Sequence, residues 1–327
     1  MFYFIAIVEC LTVNFLVLIC ASLICLPTSR LIARWTRHRH PGTQANFLFA
    51  VRVFPAGLAA LLAFGFALPG FLLFEPRPSN DYIGPLQIAL ATAGGLFSIS
   101  IVTRITRAMW ANFQVTKYWK SRSTRVQISG IDAPTYAVNG IPSLFVVVGL
   151  LRPCVFVGKE IIQQFSAEEM AAAAAHEMAH IRSRDNLKQL LMEVSRPPSW
   201  LQRFGMPDDT WVDASELAAD HSTLAAGNKP LQLASALLKV GKLRNSFAAH
   251  FAVGAHLVPT HCSPRLENRV TQLIALADVG FAPGIQQLSR RMVYTFAITG
   301  TVLFILCYAA TAPELLQAAE EALDILF

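Results

Sequence analysis

Long runs of predominantly apolar residues, of which only the first contains a charged residue, Glu9, limit most strongly how this chain can fold. Three of them lie at about 2–26, 53–74 and 82–103, and a fourth spans 292–312. A membrane-crossing helix needs about 20 predominantly apolar residues, and each run supplies that length. Only 15% of the chain is charged, well below the share of an ordinary soluble domain. We therefore predict four transmembrane helices.

The charged segments between these runs predict how the chain is oriented. Four arginines lie between residues 30 and 39, and six basic residues lie between 104 and 125. Residues 75–81 and the short tail 313–327 are acidic instead. Because cytoplasmic loops are enriched in Lys and Arg, we expect the N-terminus and the tail outside. Residues 104–291 would then form a cytoplasmic domain.

The net charge of +6 is also explained by orientation in the membrane, since the basic residues cluster beside the apolar runs. We find no nucleic-acid-binding motif, so we expect a lipid bilayer and no nucleic acid as partner. The first run lacks a positive segment before it and is long for a signal peptide, which favours a retained span.

The sequence of the cytoplasmic domain predicts an α+β fold, with strands first and helices after them. Arg125–Ile131 and Ser143–Val157 have strand character. Ser166 and Glu169 form a capping box at the start of an alanine-rich helix that reaches His180 and beyond. Further helices are expected from an N-cap at Asp208 or Asp209 to about Ala226, from Pro230, and from Ser263 to about Ala277.

The alanine-rich helix contains the pentapeptide His176-Glu177-Met178-Ala179-His180. Residues four apart project from one face of a helix, so the two imidazoles can bind a single Zn²⁺. Glu177 would lie beside the metal, where a carboxylate can accept a proton from the attacking water. The alternative is a surface helix with two histidines by chance. The apolar run Met170–Ala175 weakens it, because buried polar groups need partners.

A third ligand is expected because catalytic zinc usually has three protein ligands. Glu216 and Asp220 are also four residues apart, among leucine and alanine. We predict Glu216 as the third metal ligand, and Asp220 as the carboxylate that accepts the second ring N–H of a ligand histidine. A solvated acidic helix face is the alternative, and the apolar neighbours disfavour it.

The segments 176–187 and 216–220 resemble the membrane metallopeptidases typified by the beta-lactam sensor-transducer proteins. Gly149–Pro153 and Pro264–Val270 add to the resemblance, as does the layout of three spans before the domain and one after it. The resemblance implies a multi-pass protein of the bacterial inner membrane with a gluzincin-like zinc peptidase domain in the cytoplasm. It also implies that His176, His180 and Glu216 bind zinc, that Glu177 is the base and that Asp220 supports a histidine.

The sequence departs from this family pattern in one respect and also resembles a second family of membrane peptidases. Signalling members carry an extracellular sensor domain after the last span, and we expect none here because only residues 313–327 follow. The chain is also similar to heat-shock and CAAX-type membrane peptidases, whose Thr-His-Pro segment Thr260-His261 resembles, with Cys262 in place of proline. His261 is thus a candidate donor to the oxyanion. His250 and His256 are alternatives.

Three functional hypotheses follow. The first is a zinc-dependent endopeptidase that cleaves a protein substrate, such as a cytoplasmic regulator in signalling, with a sensor protein as a further partner. The second is a quality-control peptidase of the heat-shock type. The third is a non-catalytic transducer or scaffold, which Glu177 disfavours because a structural site needs no base. The gluzincin resemblance further implies that the strand near Ser143–Val148 binds an extended substrate by edge pairing.

Overall fold

The computed structural model describes residues 2–74, 83–140, 145–247 and 263–279. The elements in these ranges, in chain order, are α1 (Phe2–Thr36), α2 (Pro41–Ala60), a π-helical stretch (Leu61–Ala67), α3 (Leu68–Phe74), α4 (Pro85–Ser121), β1 (Ser123–Val126), β2 (Thr135–Val138), β3 (Phe145–Val148), β4 (Cys154–Gly158), α5 (Lys159–Gln164), α6 (Ala167–Ser183), α7 (Asp185–Val194), α8 (Ser199–Gln202), α9 (Asp208–Ala225), α10 (Pro230–Phe247) and α11 (Ser263–Val279). The predicted α+β mixture, with strands before helices, is confirmed.

Among the described residues, three helices are long and apolar enough to cross a membrane: Phe2–Thr36, Pro41–Leu73 and Pro85–Ser121. They cover most of the first three predicted spans and extend well beyond each at one end, because residues such as Arg, Lys and Ala continue a helix outside an apolar run. The predicted fourth span at 292–312 and the tail at 313–327 lie outside the described residues.

The four strands form one sheet in the order β1-β2-β4-β3. β2 and β4 are parallel, while β1 and β3 pair antiparallel with their neighbours, so β3 is an edge strand of the described sheet. One face of β4 packs with α5 and α6 through Val155, Val157 and Ile161. On its other face, Phe156 packs against Trp119 at the end of α4.

The first half of α2 also packs against helices from the second half of the chain. Ala45 and Leu48 form a buried cluster with Met192 of α7 and with Trp211 and Ala214 of α9. The apolar helices and the helices at the candidate site therefore share a core.

Helix ends in the second half of the chain mostly follow the predicted signals. The capping box is present, with Ser166 N donating to Glu169 Oε2 over 2.8 Å, and α10 and α11 begin at Pro230 and Ser263. The predicted cap of α9 was wrong. Its N-cap is Pro207, and Asp208 is instead the first helical residue and pairs with Arg52 of α2.

A left-handed turn that was not predicted separates α6 from α7. Arg184 has φ 56° and ψ 42°, the left-handed conformation, and it is the one non-glycine residue with positive φ among the described residues. The chain therefore turns directly after the alanine-rich helix, and Asp185 starts a new one.

Candidate metal centre

Helices α6 and α9 bring His176, His180 and Glu216 together, and one donor atom from each lies within 4.8 Å of the others. The Nε2 atoms of the two histidines are 3.2 Å apart. Glu216 Oε2 is 3.5 Å from His176 Nε2, and Oε1 is 3.8 Å from His180 Nε2. A tetrahedral ion with ligand bonds of about 2.1 Å separates its ligands by about 3.4 Å. The three donors therefore fit one such ion.

The other ring nitrogen of each histidine faces a carboxylate. Asp185 Oδ2 lies 2.7 Å from His180 Nδ1, and Asp220 Oδ1 lies 3.0 Å from His176 Nδ1. The second contact is close enough for an ion pair, although it is not aligned as a hydrogen bond. Carboxylates in these positions favour the tautomer with the proton on Nδ1. Both Nε2 lone pairs then face the same point, which is the arrangement a cation stabilises.

Asp220 thus lies beside a candidate ligand histidine, as the sequence predicted, and that histidine is His176. The sequence analysis missed Asp185. On an unbroken helix a residue five after His180 would point away from its ring, so only the turn at Arg184 brings the carboxylate back.

The sequence analysis also missed Arg269 of α11 as a site residue. Its Nε and Nη2 donate to the two oxygens of Asp220 over 2.8 and 2.6 Å, and its Nη1 donates to Glu216 over 2.7 Å. Nη2 also lies 3.4 Å from His176 Nε2. The only signal in the sequence was the Pro264–Val270 segment that carried part of the family resemblance. Arg269 fixes the position of both carboxylates.

The charges around the three donors also fit a divalent cation. Four carboxylates, Glu177, Asp185, Glu216 and Asp220, surround the site. The opposing cations are Arg269 and Lys188, whose Nζ is 3.6 Å from Asp185. Two negative charges remain, which equals the charge of one such ion.

The pKa values of the metal-free site reflect this crowding. Burial opposes the charged form of His176, but Asp220 and Glu216 outweigh it and raise the His176 pKa to about 9. Burial likewise opposes ionisation of Asp220, yet Arg269 and His176 lower its pKa to about 2. The pKa of Glu216 is lowered for the same reason. Both carboxylates are therefore ionised at neutral pH.

Glu177 differs from the other acids of the site. Burial raises its pKa, while the nearby charges of His180 and His176 oppose that shift. Within the described residues its carboxylate forms no hydrogen bond or ion pair, so it is free to exchange a proton. A pKa raised above the ordinary value suits a general base that works near neutral pH.

A cavity of about 270 Å³ adjoins His180, between the turn at Gly149–Pro153 and the junction of α6 and α7. Asn186 closes one side by donating to Val147 O over 3.1 Å and to Gly149 O over 3.2 Å. These bonds hold the end of edge strand β3 against α7. The edge strand β3 and this cavity, which has both apolar and polar lining, therefore lie next to His180, one of the three donors.

The remaining predicted site residue, His261, lies outside the described residues, as do its alternatives His250 and His256. Nothing in the structure bears on an oxyanion donor from that segment.

Comparison with known proteins agrees with this site. The family model described as BlaR1 peptidase M56 matches residues 137–273, a range that includes the three donors, Glu177, both supporting aspartates and Arg269. It is the family that the sequence resembles. Comparisons with curated proteins and with solved structures gave no match. The family match and the three apolar helices together indicate a membrane-associated protein of metallopeptidase type.

Proposed function

We propose that this protein is a membrane-embedded, zinc-dependent endopeptidase. The observation that carries the proposal is the triangle of His176, His180 and Glu216 donors, with a free carboxylate, Glu177, beside it. Two imidazoles and one glutamate are a ligand set of catalytic zinc, and three protein ligands leave a fourth position open. A purely structural zinc site usually has four protein ligands and no base.

Each side chain of the site has a defined part in peptide hydrolysis. A bound Zn²⁺ would act as a Lewis acid toward the scissile carbonyl and the attacking water. Glu177 accepts the proton of that water and passes it to the leaving amine. Asp185 and Asp220 orient the two imidazoles, and Arg269 keeps Glu216 and Asp220 ionised and in place.

The position of β3 supports an extended protein substrate. Its outer edge is unpaired within the described sheet, so a substrate strand can add to it by main-chain hydrogen bonds. The cavity beside His180 would then receive a side chain of that strand, and its lining by Leu150, Leu151 and Ile181 favours an apolar one. A cytoplasmic regulator that is unfolded near its cleavage site would present such an extended strand.

We further propose that the protein is a multi-pass protein of the bacterial inner membrane, with the site in the cytoplasm. The Lys and Arg distribution supports this orientation. The match to the BlaR1-type family favours a peptidase of regulatory signalling over the heat-shock type.

The deciding experiment compares Glu177→Gln with the wild type in detergent-purified full-length protein. Glutamine keeps the size of the side chain but cannot accept a proton, so zinc content should stay near one per chain. Cleavage of a denatured protein such as casein should fall by on the order of 10²–10⁴-fold. Glu267→Gln, at an exposed position of α11, is the matched control and should behave as the wild type.

Two results would contradict the proposal. Undiminished cleavage by Glu177→Gln would remove Glu177 as the base. Zinc retained by a His176→Ala/His180→Ala double variant would remove the metal site. If Glu177→Gln kept full function in cells while zinc-site variants lost it, the scaffold hypothesis would replace the enzyme.

A further inference from the structure

A buried arginine of the second apolar helix joins two helices of the metal centre. Arg52 of α2 is only 2% exposed. Its Nε donates to Asp208 Oδ1 over 2.9 Å, its Nη1 to Ser195 O over 3.0 Å and its Nη2 to Met192 O over 2.7 Å. Asp208 begins α9, whereas Met192 and Ser195 lie at the end of α7. One guanidinium therefore connects α2, α7 and α9.

Both of the connected helices carry residues of the candidate metal centre. α7 begins at Asp185, whose carboxylate lies against His180. α9 carries Glu216 and Asp220 about two and three turns after Asp208. A ten-residue helix is about 15 Å long and moves as a unit. A shift of α9 at Arg52 would move Glu216 relative to His180, and a shift of α7 would move Asp185 relative to the His180 ring.

The contacts of Arg52 are of a kind that only a guanidinium makes. The last carbonyls of a helix have no partner within the helix and carry partial negative charge. Arginine offers five N–H donors in a planar fork, which is enough to bind two carbonyls and one carboxylate at once. Removing one partner from a buried, hydrogen-bonded charge is strongly destabilising, so the three segments are held in one arrangement.

A second arginine provides an internal comparison. Arg104 of α4 donates to the carbonyls of Glu193 and Arg196 over 3.3 and 2.8 Å, so it caps the same end of α7. Its hydrogen bonds within the described residues do not reach α9. Arg104 thus attaches α7 to an apolar helix, whereas Arg52 also sets the position of α7 relative to α9.

We propose that Arg52 is a positioning residue for the metal centre. By holding the end of α7 and the start of α9 on one side chain, it sets the position of Glu216 relative to Asp185, the carboxylate that orients His180. The second apolar helix is then part of the frame of the site and not only an anchor. This inference rests on the proposed zinc site.

The test measures the zinc affinity of full-length protein in lipid nanodiscs, by competition with a chromogenic chelator. Arg52→Gln removes the bridge, and Asp208→Ala removes its link to α9 together with the longer ion pair between Asp208 and Arg196. Loss of a direct outer partner of a metal ligand typically costs about 10–100-fold in affinity. Arg52 acts one contact further out, so we expect both variants to lose affinity by about 10-fold, the lower end of that range. Arg104→Gln should bind zinc like the wild type, even if the unfolding temperature of its metal-free form drops.

The possible results separate this inference from the proposed function. Wild-type zinc affinity in a folded Arg52→Gln variant would overturn it, and so would an equal loss in Arg104→Gln, which would point to helix capping alone. If Arg52→Gln does not fold, Asp208→Ala decides, and wild-type affinity there overturns the proposal. A wild-type protein that binds no zinc would refute the proposed function itself.

Discussion

At the proposed zinc site, protons and zinc would compete for His176, and this competition predicts how both metal affinity and stability change with pH. Asp220 and Glu216 raise the His176 pKa from 6.5 to about 9 in the metal-free protein, against the opposing effect of burial. Zinc binds only the neutral imidazole, so at pH 7 the ion must displace that proton. Affinity should therefore rise between pH 7 and about 9 and then level off. The pKa of His180 is raised as well, which adds to the same trend.

The size of the effect follows from the pKa. A pH of 7 lies two units below the His176 pKa of about 9, so the imidazole is almost fully protonated. Displacing that proton lowers zinc affinity by about 100-fold relative to a deprotonated site. Stability of the metal-free protein changes in the opposite direction. A histidine whose pKa is raised in the folded state stabilises the fold below pH 6.5. That contribution, of order 3 kcal/mol for His176, is lost as pH rises from 6.5 through about 9.

Two assays measure these trends on the same detergent-solubilised protein. Calorimetric titration of zinc in buffers of different ionisation enthalpy should detect at least one proton released per ion at pH 7. Denaturant unfolding of the chelator-treated protein should show stability falling from pH 6.5 to 9. Asp220→Asn should reduce both effects, because it removes the carboxylate that holds the proton. Zinc binding at pH 7 without proton release would refute the assignment of His176 as a protonated, metal-competing ligand.

Three further predictions test separate parts of the structure. Asp185→Ala and Asp220→Ala should each weaken zinc binding by about 10–100-fold, with proteolysis partly restored by excess zinc; unchanged affinity would exclude a supporting role. Gly149→Ala should lower the free energy of unfolding by more than about 1 kcal/mol, because φ is 113° and the new Cβ would meet Arg152 O at 2.6 Å; equal denaturation midpoints would contradict this. Reporter fusions near residue 245 and at Phe327 should report opposite sides of the membrane, and the same side for both would remove the span at 292–312.

The parts of the site that sequence could predict are local. His176 and His180 share a face because of the helical period, and Ser166 with Glu169 marks where that helix starts. The same period places Glu216 and Asp220 together on α9. None of these relations depends on how distant segments pack.

The residues that sequence missed depend on distant contacts or on an unusual backbone. Asp185 reaches His180 only because Arg184 adopts a positive φ that its residue type does not favour. Arg269 lies 49 and 53 residues from its two carboxylates, and Arg52 lies 156 residues from Asp208. Strand β2 has four residues between Pro134 and Gly140, too few for a clear alternating pattern.

Two arginines from other helices contact α9 and give the candidate metal centre much of its order. Arg52 holds Asp208 at the start of the helix, and Arg269 holds Glu216 and Asp220 further along it. Arg269 offsets the repulsion between the neighbouring Glu216 and Asp220 carboxylates and holds both beside His176. The three donors lie within 4.8 Å of one another, close to the spacing that a single ion needs. Because these arginines come from α2 and α11, the order of the site depends on the packing of the apolar helices as well as on the pentapeptide of α6.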